Sequence, residues 1–236
     1  MRISRRIVAS AASLALIAGV GVAMSAPASA AHNHNQDTQS GKAILQLSPT
    51  FVALAKTASV TFGVKGKYAT KKTPNGGVSI EFPVTGDPVD GAIFTKGKMT
   101  TSGPKGTMVF VNPIFGWATS QTNSRVQGSI TGVLHQMRYP YSYLNGQTES
   151  LYDLTAVKTE TTWGKTKQLF GGATRTSTTK VWANVQMTQD ANILDALDWG
   201  VAAPLFQAAA PVGTAWAKQV VVHSCASAQE CNNLSK

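Results

Sequence analysis

The sequence predicts a mainly β protein: a single antiparallel β-rich domain, sandwich-like, with one or two short helices. Three observations carry that reading. Val60, Phe62 and Val64 alternate with Thr61, Gly63 and Lys65, and Val78, Ile80 and Phe82 alternate with Ser79 and Glu81. A period of two marks a half-buried strand. Thr, Val and aromatic residues fill such stretches, and they suit a pleated surface. Turn chemistry then separates them, in Pro74-Asn75-Gly76-Gly77 and Thr85-Gly86-Asp87-Pro88.

Residues 1–30 read as a cleaved secretory signal peptide. Arg2, Arg5 and Arg6 give a positive start, residues 7–24 are uncharged, and Ala28-Ser29-Ala30 supplies the small residues of a cleavage site. Ser4-Arg5-Arg6 leaves the general and the twin-arginine export routes both open. No second long apolar run follows, so the mature chain is expected to have no membrane span. The expected location is secreted, or loosely associated with the cell envelope. Cleavage leaves 206 of 236 residues, enough for one domain with a real core. Three Arg leave with the signal, so 18 basic residues face 11 acidic ones, a balance of +7.

Residues 31–42 have no apolar residue after Ala31 and are expected to form a disordered polar leader. Its His32 and His34, beside a new N-terminus, are candidate Cu(II) or Ni(II) ligands. The β-rich domain is placed at 43–222. Within it, 44–58 fits a helix capped by Ser48 with Pro49 in its first turn, or a direct lead into the next strand. Strands are expected at 93–101, 107–111, 125–134, 151–158 and 181–187. Thr188 can cap a helix in which Ile193, Leu194, Leu197 and Val201 form one stripe, ended by Gly200 and Pro204. A last strand follows at 214–222. Residues 223–236 form a C-terminal tail. Cys225 and Cys231 are the only cysteines, and in an exported chain they are expected to close a small disulfide loop. A metal pair would have only His223 to complete it.

Several function classes find no support. The lysines are dispersed, with no helical stripe and no nucleic-acid motif, so nucleic acid is not an expected partner. Gly-x-Ser-x-Gly, His-Glu-x-x-His and phosphate-binding Gly loops are all missing. A hydrolase triad would need His135 or His223 as its base. Asp87 and Asp90 read as a polar turn around Pro88. The chain is therefore read as a non-enzyme. One constellation has character: His135-Gln136-Met137-Arg138-Tyr139-Pro140-Tyr141-Ser142-Tyr143. If extended, it puts His135, Met137, Tyr139, Tyr141 and Tyr143 on one face. Tyr rings suit stacking on sugars or enclosing a planar cofactor, and His, Met and Tyr are haem-iron ligands. The alternative is a strand whose inner face fills the core, with Pro140 marking an edge or a break.

Five segments fall in a familiar order. Phe62-Gly63-Val64-Lys65 opens the series, and Glu81-Phe82-Pro83 with Asp90 follows. Next come Gly103-Pro104-Lys105-Gly106 with a strand ending in Asn112-Pro113, then the strand at 151–158, and finally Val185-Gln186-Met187-Thr188 with its helix. In that order they resemble the HtaA-type domain of exported actinobacterial haem-uptake proteins, over roughly 58–220. The resemblance implies a surface-exposed β-rich module that binds haem. The family's ligand Tyr falls near Lys71 here, and its Gly-His-x-Gly turn has Pro104 in place of His. Tyr68, three residues from Lys71, is the candidate iron ligand that remains. The expected function is thus binding of haem or another flat hydrophobic ligand, with Tyr68, His135, Met137 and Tyr139 as site residues. The alternative is an adhesion or matrix module that binds a cell-wall polymer, its glycans meeting Tyr141, Tyr143 and scattered Lys, without haem.

Overall fold

The computed structural model describes residues 37–119, 124–201 and 205–235. The signal segment, His32 and His34 lie outside the described residues. In chain order the elements are β1 (Thr38–Leu47), α1 (Pro49–Thr57), β2 (Thr61–Val64), β3 (Thr70–Lys72), β4 (Val78–Pro83), β5 (Ala92–Phe94), β6 (Lys98–Gly103), β7 (Gly106–Trp117) and β8 (Gly128–His135). They continue with β9 (Thr148–Trp163), β10 (Lys167–Leu169), β11 (Gly172–Met187), α2 (Ala191–Gly200), β12 (Pro211–Cys225) and α3 (Ala228–Asn233).

The fold is mainly β: 55% of the described residues are strand and 17% helix, and the strands form one antiparallel sheet that nearly closes on itself. The twelve strands run in the order β2-β6-β7-β8-β9-β11-β12-β1-β4-β3, with β10 beside β11 and β5 beside β7. The inward face is apolar: Leu45, Ile80, Phe82, Met99, Phe110, Ile130, Leu134 and Leu154 are essentially inaccessible, and Ile80 and Phe82 belong to the alternation expected from the sequence. Each such side chain contributes about 1.5–3 kcal/mol of burial. Two helices pack on the core. Phe51 of α1 stacks on Phe62 of β2, ring centres 5.6 Å apart, and Ile193, Ala196 and Leu197 of α2 are buried.

Where strand bounds differ from the sequence expectation, tertiary pairing is the reason. The leader assigned to 31–42 ends early, because β1 begins at Thr38 and pairs with β12 from Thr38↔Val222 to Leu47↔Gly213. A neighbouring strand satisfies the backbone whatever the polarity of the side chains. The 43–222 domain therefore extends at both ends, and the first residues of the 223–236 tail belong to β12. Residues 93–101 are two strands rather than one. Gly97, at φ +147, separates them, and a Cβ there would stand 2.9 Å from the Ala69 Cβ and 3.0 Å from the Phe82 ring. β7 runs on past Val111 through a bulge at Asn112 and Pro113, where the Asn112 side chain accepts the Gly97 N–H at 3.1 Å. Ser48 does cap α1, accepting from the Phe51 N–H at 3.1 Å. The cap of α2 is Asp190 rather than Thr188; it accepts from Asn192 and Ile193, while Thr188 holds the Asp190 N–H at 3.2 Å.

Candidate ligand-binding site

The His135–Tyr143 segment is not an extended face. β8 stops at His135, Gln136 takes φ +65, and Tyr141–Leu144 forms a 3-10 turn after a cis Tyr139–Pro140 bond. Asn145 fastens the loop, accepting from the Met137 N–H at 2.8 Å and donating to the Met137 carbonyl at 2.9 Å. The five side chains consequently separate. Met137 is 6% exposed in the core, whereas Tyr139 is 81% and Tyr143 59% exposed. Tyr141 packs half-buried against the core, its ring centre 6.3 Å from that of Tyr143. Burial, Asp195 and Tyr143 raise the Tyr141 phenol above its ordinary value, which opposes iron ligation as phenolate. His135 lies exposed at the end of β8. A different aromatic group forms instead, because the Trp199 indole, itself 52% exposed, donates to the Tyr139 carbonyl. Beside it a cleft of about 490 Å³ is lined by Lys65, Gly106, Thr107, Gln136 and Arg138.

Tyr68 sits in a second cleft, of about 380 Å³. Gly41, Pro83 and Val220 give it apolar surface, and Lys42, Thr70, Glu81 and Lys218 its polar rim. Gly41 keeps this floor low: a Cβ there would lie 2.0 Å from the Lys218 carbonyl oxygen. The Lys96 ammonium stands 4.2 Å from the centre of the Tyr68 ring and that of Lys67 5.3 Å, a cation–π arrangement. Lys42 pairs with Glu81 at 3.1 Å. The cleft is therefore a phenol surrounded by cations, next to a small apolar surface. Lys71 does not line this cleft. In register with Ile80, it donates to the Phe62 carbonyl at 2.5 Å, from β3 to β2. Pro104 occupies the tight turn between β6 and β7.

A third arrangement escaped the sequence reading. The Ser177 hydroxyl and His223 Nε2 are 2.8 Å apart, and His223 Nδ1 and Asp37 Oδ2 are 2.9 Å apart. The order is that of a hydrolytic triad. Its surroundings are those of a clasp. Ser177 is 5% exposed and lies mid-strand between Trp163 of β9 and Val221 of β12. The Trp163 ring stacks over His223 at 5.2 Å, and neither cleft includes Ser177. Asp37 fell inside the supposed leader, and only the pairing of β1 with β12 brings it to His223.

Cys225 and Cys231 are bonded as expected. They pack with Ala173 beneath α3. Arg175 ties this end together, donating to the Gly164, Cys231 and Asn232 carbonyls. No helix among the described residues is long and apolar enough to cross a membrane. The described residues contain no group of three or more His, Cys, Asp or Glu that could hold a metal. No protein-family model, curated protein or solved structure matches the chain.

Proposed function

We propose that this protein is an exported envelope binding protein that takes haem, or another flat hydrophobic ligand with acidic substituents, in the Tyr68 cleft. The observation that carries this reading is a partly exposed phenol, 41% accessible, with Lys96 at 4.2 Å and Lys42 and Lys218 on the same rim. The donor set fits haem in kind. Tyr68 would hold the iron through its phenolic oxygen, the lysines would pair with the propionates, and Pro83 and Val220 would meet the ring. The chemistry is binding rather than turnover. Hemin titrated into the protein is expected to give a Soret band that saturates at one equivalent and is lost in Tyr68→Ala. A titration without saturation overturns the reading.

The second reading is attachment to cell-wall glycans without haem. It is favoured by the exposed Tyr139, Tyr143 and Trp199 beside Lys65 and Arg138. Retention on insoluble cell wall at low salt, reduced in Trp199→Ala, is the expected result. Absence of retention refutes it.

A further inference from the structure

The outer face of β1, β12 and β11 carries two rows of side chains that the core does not use. In register, Lys42 faces Lys218 and Lys218 faces Lys180. Three ammonium-bearing side chains thus stand across adjacent strands, at a spacing on the order of 5 Å. One row along, Ile44 faces Trp216 and Trp216 faces Trp182. Alternation fixes their direction: Ala43, Val181, Ala183, Ala215 and Ala217, their chain neighbours, are all buried. Trp182 is 37% exposed. The Lys42 ammonium lies 5.9 Å from the centre of the Trp216 ring.

Like charges placed directly opposite weaken a sheet. The outer two lysines are compensated, Lys42 by Glu81 at 3.1 Å and Lys180 by Glu160 at 3.9 Å. Lys218, between them, has no carboxylate partner among the described residues. Two indoles on the outer face of the sheet, next to an under-compensated cation row, combine two recognition elements. Indoles stack on the C–H faces of sugar rings, and ammonium groups pair with carboxylate or phosphate. We propose that this face binds a linear anionic polysaccharide, its rings over Trp216 and Trp182 and its acidic groups along Lys42, Lys218 and Lys180. The platform adjoins the Tyr68 cleft and shares Lys42 and Lys218 with it, whereas Trp182 and Trp216 do not line that cleft.

The test is affinity electrophoresis of the purified protein in gels holding polygalacturonate, a neutral dextran or single-stranded DNA. All variants share the same N-terminal segment, which cancels in the comparison. Polygalacturonate is expected to retard the wild type, less so in high salt. Trp182→Ala and Trp216→Ala should each weaken binding about tenfold, and Lys218→Gln about two- to fivefold at low salt. Circular dichroism identifies any variant that has lost its fold. Tyr68→Ala should bind polygalacturonate as the wild type does, so failure of the haem reading and failure of this one are distinguishable. The proposal is overturned if polygalacturonate causes no retardation, if folded Trp variants bind as tightly as the wild type, if dextran binds equally well, or if DNA binds as tightly and independently of the indoles.

Discussion

Asp37→Ala measures whether the first strand is held by a side-chain clasp. The Asp37 carboxylate is fully enclosed; one oxygen lies 2.9 Å from His223 Nδ1 and the other accepts the Ser224 N–H at 3.1 Å. Truncation leaves two polar groups without this acceptor, each costing about 1–3 kcal/mol where water cannot replace it. The expected loss is about 2–5 kcal/mol, or a fall in Tm of about 5–15 °C for a chain of this size. Urea unfolding followed by tryptophan fluorescence reads it directly, because Trp163 stacks on His223. Asp37→Asn keeps one acceptor and should lose about half as much. Ser177→Ala should cost about 1 kcal/mol and be non-additive with Asp37→Ala, since both act through His223. If Asp37→Ala stays within about 0.5 kcal/mol of wild type with an unchanged m-value, the clasp does not hold β1.

Two further outcomes concern the same framework. The Cys225–Cys231 bridge spans a sequence separation of 6, so Cys225→Ser with Cys231→Ser should cost about 2 kcal/mol by loop-closure entropy; hydrogen exchange should show the loosening at α3 and the Arg175 contacts, while β4 and β7 stay protected. Burial raises the Asp153 carboxyl above its ordinary value, with Gln189 and Gln186 opposing by hydrogen bonds. Folding therefore favours its protonated form, a contribution present below the ordinary carboxylate value and lost as pH rises through the raised one. Asp153→Asn should remove that decline, visible as a flatter urea midpoint between mildly acid and neutral pH; an unchanged slope refutes it.

The strands were legible wherever one face meets the core, because Val78-Ser79-Ile80-Glu81-Phe82 can bury only one alternate set. The polar ends of β1, β9 and β11 were not, since Thr and Gln carry no period and their pairing is decided by a partner distant in sequence. The Ser48 cap was legible because capping is local; Asp190 displaced Thr188 because two acceptors compete within three residues. The aromatic run after His135 misled for a definite reason. Tyr alternation reads as a strand, but the Asn145 hydrogen bonds to Met137 turn the backbone there. Tyr68 was named through the resemblance and not through periodicity. Ser177, His223 and Asp37 could not be joined by spacing, since β11, β12 and the residue that precedes β1 bring them together.

Lys71 carries one more consequence. The sheet ends in two short strands, and an open strand end is a template on which another chain can add. Here an edge lysine reaches across to the opposite edge and occupies the Phe62 carbonyl. A charge directed at the gap makes strand addition there costly for an incoming chain, which would have to displace or bury it. The Lys71 contact thus joins the two ends of the sheet and places a charge where the strand edges are otherwise open.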